Sequence, residues 1–200
     1  MKISKALGAL LLAVLLVSLP CQAAEGNQGY AVYRDGVAMN LTWHAGMMVE
    51  PNSSNYGSAI AHAPGGSERS GYTTYEKFLN GHTYKGVYKP LTAMSSHDRD
   101  LVVATARYIA NRHINYKLDG MIEATDRGQT RFVPSDITAI RCDGVVEYCY
   151  EYNGFPIYGA GYWDISKNDA DTQAAHDTML FINPQIQAQS YMQRISTTKP

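Results

Sequence analysis

Alternating apolar and polar residues predict a pair of neighbouring strands in the first third of the chain. In the run Ala38–Val49, every second residue from Leu41 onward is apolar, and a polar stretch at 50–57 separates it from a second apolar run, Ser58–Ala63. Because successive side chains of a strand point to opposite faces, these runs predict two antiparallel strands. Shorter strands are predicted at Tyr30–Arg34, which ends at an Asp-Gly turn, and at Lys85–Lys89.

Helical spacing and end signals predict three helices. Ser95-Ser96 can cap a long amphipathic helix at His97–Arg112. The residues expected to face inward on this helix are Leu101, Ala104, Tyr108 and Ile109. A second helix is predicted to begin at Cys142 and to stop at Gly154, and a short third one to begin at Asn183-Pro184. The segment Asn115–Ile140 is ambiguous, with a break at Pro134-Ser135. Together these elements predict an α+β fold with an antiparallel sheet.

The first 23 residues have the features of a secretory signal peptide. A short basic opening, Met1–Lys5, precedes the apolar run Ala6–Leu19, and small residues surround a cleavage point after Ala23. The apolar run is shorter than the roughly 20 residues that a membrane span requires. We therefore expect one domain at 24–200, secreted or periplasmic, without a stable membrane span. A lipid anchor on Cys21 is the alternative, which the preceding proline disfavours.

Composition and charge exclude several functional classes. The chain has 200 residues, of which 45% are hydrophobic, and a formal net charge of −1. That fraction is enough for a buried core, and the charge gives no reason to expect a nucleic-acid partner. The sequence contains neither a phosphate-binding glycine loop nor a Gly-x-Ser-x-Gly motif. We expect no cofactor.

The two cysteines outside the signal peptide, Cys142 and Cys149, lie on one predicted helix. Their spacing corresponds to about 10.5 Å along a helix, whereas a disulfide requires Cα atoms within about 7 Å. The two cannot pair, and an unpaired cysteine in an exported protein suggests that the thiol itself is used. A helix N-terminus lowers the pKa of a thiol. Cys142 is therefore the candidate nucleophile, and Cys149 is expected in the core.

Two histidines can supply the base that a thiol nucleophile requires. His44 lies in the middle of its predicted strand beside the small residues Ala45 and Gly46, which leave room for another group to approach. His62 lies on the following strand, within reach of His44, and can orient its ring. The predicted catalytic residues are therefore Cys142, His44 and His62.

Other interpretations of these residues stay open. Glu50 or Asn52 could orient the base in place of His62. The three predicted catalytic residues could instead bind zinc, although their spacing matches no short metal motif. Each could also have a purely structural role, because free cysteines and buried histidines often simply pack in a core.

Three segments resemble NlpC-like papain-fold peptidases. Trp43–Met48 resembles the histidine strand of that family, Ala59–Ala63 its next strand, and Arg141–Tyr148 its nucleophile helix. Both histidines precede the cysteine, as in the circularly permuted branch, which includes YiiX-like proteins and the lecithin retinol acyltransferase group. Arg141 and Asp143 depart from the pattern, since the family usually has Asp and Ser at these positions.

The resemblance implies a permuted papain-like core and an exported thiol hydrolase that cleaves an amide bond, in cell-wall peptides if the source is bacterial. Cys142 would attack the carbonyl, His44 would take its proton, and His62 would hold the ring of His44. The backbone amide of Cys142 would be one oxyanion donor. One alternative is an acyltransferase or lipid-directed thiol hydrolase. Another is a non-catalytic binding domain of the same fold, which the residues flanking the thiol favour.

Overall fold

The computed structural model describes residues 24–37, 42–51, 59–125, 132–158 and 182–198. The predicted signal peptide at 1–23 lies outside the described residues, together with Cys21 and its alternative lipid anchor. Asn52 and the first residues of the strand predicted from Ala38 also lie outside them.

The described residues form a mixed α+β fold around a six-stranded antiparallel sheet. Its strands are β1 (Ala31–Val37), β2 (Thr42–Met48), β3 (Ile60–His62), β4 (Gly71–Thr73), β5 (Tyr84–Pro90) and β9 (Met192–Ser196). They are arranged in the order β4-β3-β2-β1-β5-β9. A smaller sheet has the order β6-β8-β7, with strands β6 (Asn115–Tyr116), β7 (Ile122–Ala124) and β8 (Ile137–Ile140). The predicted fold class, α+β with an antiparallel sheet, is confirmed.

Four helices pack on the strands in the described part of the chain. They are α1 (Tyr75–Leu79), α2 (Ser96–Arg112), α3 (Cys142–Tyr152) and α4 (Pro184–Tyr191). A single 3-10 turn, Pro134–Asp136, precedes β8. Among these described helices, none combines the length and the apolar character needed to cross a membrane.

The predicted pairing of the two strands after residue 38 is confirmed, whereas the predicted turn before them is wrong. Met47 lies opposite Ala61 in the antiparallel pair of β2 and β3. β1 continues through Asp35 and Gly36 to Val37. The strand can continue because Gly36 has a φ of +90°, within a stretch where the β1–β2 register shifts. Asp35 also accepts a hydrogen bond from the amide of Thr83, which holds this part of β1 against the start of β5.

The start of α2 is confirmed, but the face that it buries differs from the prediction. Ser95 caps the helix in a reciprocal capping box with Asp98. Of the residues expected to face inward, Leu101 and Tyr108 are 43% and 41% exposed and Ala104 is also exposed, whereas Ile109 is buried. The buried residues of the helix are Val102, Val103, Thr105, Ala106, Ile109 and Ala110. This face is formed by small and β-branched side chains, which allow α2 to pack closely against the sheet and α3.

Both faces of β2 are covered, so alternation along this strand separates two apolar environments rather than core from solvent. Every residue of β2 is buried. Trp43, Ala45 and Met47 belong to the larger apolar cluster, which also contains α3. Met48 belongs to a second cluster, which contains Phe78 of α1. The central strand therefore lies between α3 on one face and α1 on the other.

The predicted starts of the last two helices are confirmed. α3 begins at Cys142, and Gly154, with a φ of +89°, follows its end. Asn183 caps α4 by accepting hydrogen bonds from two backbone amides of the first turn. At Gly144, α3 approaches the small sheet so closely that a Cβ atom would overlap the carbonyl oxygen of Met121.

Candidate functional site

The first turn of α3 is fixed by a buried ion pair on either side of Cys142. The Arg141 guanidinium donates to both carboxylate oxygens of Asp143, at 2.6 and 2.9 Å. It also donates to the carbonyl oxygens of Leu118 and Ile182, at 3.2 and 3.3 Å. The two charged side chains are 1% and 0% exposed. The two charged residues that flank the cysteine are therefore partners of each other.

The thiol of Cys142 is buried and surrounded by hydrogen-bonding groups. The backbone amides of Ala45 and Asp143 donate toward the sulfur and favour the thiolate, and the Tyr116 hydroxyl lies within hydrogen-bonding reach. Burial and, second, the Asp143 charge nevertheless raise the pKa of the Cys142 thiol to about 12. Cys142 is 2% exposed. The expectation that the helix N-terminus lowers the pKa of this thiol is therefore wrong for this structure, because loss of solvation outweighs the favourable amides.

Cys149 lies deeper in α3, as predicted. It is completely buried, and burial raises the pKa of its thiol. Both described cysteines are free thiols. The prediction that Cys149 is a core residue is confirmed.

The structure brings the two predicted histidines together. His44 Nε2 and His62 Nδ1 are 2.9 Å apart, and their ring centroids are 5.2 Å apart. Both rings pack against Phe78 of α1, with centroid distances of 5.2 and 5.7 Å. This contact uses Nε2 of His44 and leaves its Nδ1 for another partner. The catalytic roles assigned to the two rings stay predictions.

Both imidazoles are neutral at neutral pH. Burial, followed by the charge of His62 and then that of Arg34, holds the pKa of His44 well below its ordinary value of 6.5. Burial and then Arg34 lower the pKa of His62 to about 4. In a hydrogen bond between neutral imidazoles, one ring donates a proton and the other accepts it.

The thiol of Cys142 contacts the main chain of β2 at Ala45, the residue that follows His44. The α3 helix packs on the face that carries Ala45, and the thiol reaches the main chain of β2 at that residue. The rings of His44 and His62 lie on the α1 face, against Phe78. Within the described ranges, no hydrogen bond joins the thiol to either imidazole.

The structure gives no support to two alternatives for these residues. In the part of the chain that the structure describes, no three His, Cys, Asp or Glu residues come together as metal ligands, so the zinc interpretation gains no support. Glu50, a possible orienting group, instead accepts a hydrogen bond from Arg107 at 2.9 Å. Asn52, the other candidate, lies outside the described residues.

A cavity of about 540 Å³ opens beside the histidine pair, and sequence reasoning missed it. His44 and His62 form part of its wall, together with the cationic side chains of Arg34, Arg69 and Lys77. Arg34 enters this wall because it lies directly opposite His44 in the β1–β2 register. The signal in the sequence was Arg34 itself, a charged residue at the end of the predicted strand Tyr30–Arg34.

A buried carboxyl group inside α3 was also missed. Glu147 is 0% exposed. It accepts a hydrogen bond from Gln187 of α4 at 2.7 Å and another from the amide of Tyr158 at 3.0 Å. Burial raises the pKa of Glu147 to about 7. This carboxyl group connects α3 to α4 and bears on the pH dependence of stability.

No family model, curated protein or solved structure matches the chain.

Alkylation of the Cys142 thiol tests its burial and its raised pKa. In a Cys149→Ala variant, we expect iodoacetamide to modify the native protein at pH 7 at least ~100-fold more slowly than the urea-unfolded protein. The native rate should still rise about tenfold per pH unit beyond pH 9, where the unfolded rate levels off. Mass spectrometry of the Cys142 peptide measures both rates. Equal rates at pH 7, or a native plateau below pH 8, would contradict this account.

The lowered pKa of His62 predicts a loss of stability in acid. A histidine that is protonated more readily in the unfolded chain stabilises the fold fully above pH 6.5, and this contribution is lost as the pH falls toward about 4. Each such histidine contributes a slope of up to about 1.4 kcal/mol per pH unit. Glu147 has the opposite effect on stability between pH 4.5 and about 7. The contribution of His62 must therefore be measured as a difference between the parent and a variant.

Urea denaturation of the parent and of His62→Gln, from pH 7 to 4.5, measures this contribution. We expect the parent to lose stability more steeply on acidification, by up to about 1.4 kcal/mol per pH unit relative to the variant. The exposed His97 provides the control, since His97→Gln should follow the parent. Parallel curves for the parent and His62→Gln would refute the assignment.

Proposed function

We propose that the protein is an exported thiol hydrolase with a permuted papain-like core, and that it cleaves an amide bond in cell-wall peptides. The observation that carries the proposal is the hydrogen bond between His44 Nε2 and His62 Nδ1, beside the strand position that the Cys142 thiol contacts. The order of the three residues and the resemblance of their segments to NlpC-like peptidases support the same function.

The histidine contact determines which protonation states the reaction needs. For Nδ1 of His44 to accept a proton, its Nε2 must carry a hydrogen and donate it to Nδ1 of His62. His62 then holds the ring of His44 in position and stabilises the imidazolium that forms. Since burial keeps the pKa of His44 well below 6.5, the ring is available as a neutral base at neutral pH.

The thiol begins the reaction as a neutral group. With the pKa of Cys142 at about 12, the sulfur loses its proton to His44 as it attacks the carbonyl carbon, instead of reacting as a preformed thiolate. The proton then passes from His44 to the leaving amine, and water releases the acyl group from the sulfur. Because the thiol is 2% exposed and has no hydrogen bond to His44 within the described residues, attack also requires a movement that uncovers the sulfur and brings it to Nδ1 of His44.

A non-catalytic binding domain is the second candidate, and the burial of the thiol favours it. A sulfur that substrate cannot reach and whose pKa is raised to about 12 resembles a core residue more than an active nucleophile. No comparable observation favours an acyltransferase or a lipid-directed hydrolase. Charged side chains line the cavity beside the histidines, which does not suit an apolar acyl chain.

Substitution of the three predicted catalytic residues tests the hydrolase. Purified protein lacking residues 1–23 is incubated with bacterial peptidoglycan and with its soluble stem peptides, and mass spectrometry detects newly released amines. Cys142→Ala and His44→Ala should abolish turnover, because removal of a nucleophile or its base costs most of the catalysis. His62→Gln should leave a measurable remainder, since an orienting residue usually contributes less.

Cys149→Ala is the matched control, because this second thiol lies in the core and should not be needed for turnover. Circular dichroism should show that all four variants remain folded. If Cys142→Ala or His44→Ala turns over peptide like the parent, the thiol mechanism is wrong. If the parent releases no amine from either material, the proposed substrate class is wrong and the binding domain becomes the better account.

A further inference from the structure

The cavity beside the histidine pair has an excess of positive charge. Among the described residues of its lining, Arg34, Arg69 and Lys77 are cationic and Glu68 alone is acidic. The ion pairs in the described ranges involve other residues, so none of them neutralises these three cations. A concave site with uncompensated positive charge attracts an anionic group.

Arg34 also has an unused hydrogen-bond donor. Its Nη1 donates to the neighbouring carbonyl oxygen of Asp35 at 2.8 Å, whereas its Nε is buried without a hydrogen-bond partner among the described residues. Burial lowers the pKa of the Arg34 guanidinium, which is a sign of incomplete solvation of its charge. The nearest carboxylate in sequence, Asp35, is already paired with Lys85 at 2.9 Å. A buried donor without a partner is costly, so a ligand oxygen at this point would stabilise the site.

The histidines limit how much negative charge the inner end of the cavity can hold. Their pKa values are lowered, so both rings are neutral at neutral pH, and among the described residues Arg34 is the cation that lies opposite His44 in the strand register. Arg69 and Lys77 are exposed and lie toward solvent, as does Glu68. One cation and two neutral donor–acceptor rings match a monoanion better than a dianionic phosphate.

We propose that this cavity binds a carboxylate group of a peptide ligand, with Arg34 as its principal partner and the rings of His44 and His62 beside it. The proposal deepens the proposed function by naming a feature of its substrate, and its catalytic part rests on that function. The substrate would carry a free carboxylate close to the amide that is cleaved. Binding itself does not require the thiol.

Calorimetric titration of N-acetyl-alanyl-alanine and of its C-terminal amide tests the proposal. These two probes differ in the carboxylate alone. With protein that lacks residues 1–23 and carries Cys142→Ala, we expect the acid to bind about tenfold or more tightly than the amide. Arg34→Gln should reduce binding of the acid to the level of the amide. Arg112→Gln is the matched control, because this exposed cation lies outside the cavity lining and should leave binding unchanged.

Equal binding of the acid and the amide would overturn the proposal, as would an absence of saturable binding of the acid up to ~10 mM. Inorganic phosphate that binds more tightly than the acid would overturn it in favour of a phosphate site. If Arg34→Gln does not fold, the comparison of acid and amide on the chain with native Arg34 still decides the question.

The outcomes also separate this inference from the proposed function. Binding of the acid by Cys142→Ala, with no turnover of peptide by the parent, would support the carboxylate site and contradict the hydrolase. Turnover by the parent that is equally fast for peptides with and without a free carboxylate would support the hydrolase and contradict the carboxylate site.

Discussion

The buried ion pair between Arg141 and Asp143 is the interaction on which the position of the candidate nucleophile depends. The guanidinium binds both carboxylate oxygens and also the main chain at Leu118 and Ile182, so it joins the first turn of α3 to two segments outside the helix. Loss of one partner would leave the other charge buried and unpaired, at a cost of about 3–5 kcal/mol. A change at either residue alone should therefore destabilise the fold. The two charged residues that flank Cys142 therefore compensate each other.

Desolvation is the second constraint, and it favours the neutral forms of Cys142, His44 and His62. The same burial that raises the pKa of Cys142 lowers the pKa of His44 and of His62. A thiolate–imidazolium pair is therefore not the resting form of this site. Around the site, hydrogen bonds hold the helices in place: Gln187 of α4 binds both the carbonyl oxygen of Asp143 and the carboxylate of Glu147, and Tyr33 of β1 donates to Gln187.

Local signals in the sequence predicted several helices and strands, but not β4, α1 or β9, and not the environment of the side chains. The caps at Ser95 and Asn183 and the start of α3 at Cys142 were predictable, because they depend on a few neighbouring residues. The buried face of α2 was not, since Leu101 and Tyr108 look suitable for a core until the position of α3 is known. The pKa of Cys142 was also mispredicted, because a helix N-terminus is a local feature whereas burial depends on the whole fold. The contact between His44 and His62 followed from strand pairing, but the place of Arg34 in the same cavity required the β1–β2 register.

A double-mutant cycle on the ion pair tests most directly whether it fixes the start of α3. The free energy of unfolding would be measured by urea denaturation for the parent, Arg141→Met, Asp143→Leu and the double variant. The account predicts that each single variant loses about 3–5 kcal/mol, and that the double variant loses less than the sum by at least about 2 kcal/mol. Additive losses would show that the two side chains do not depend on each other, and would contradict the central role of the pair.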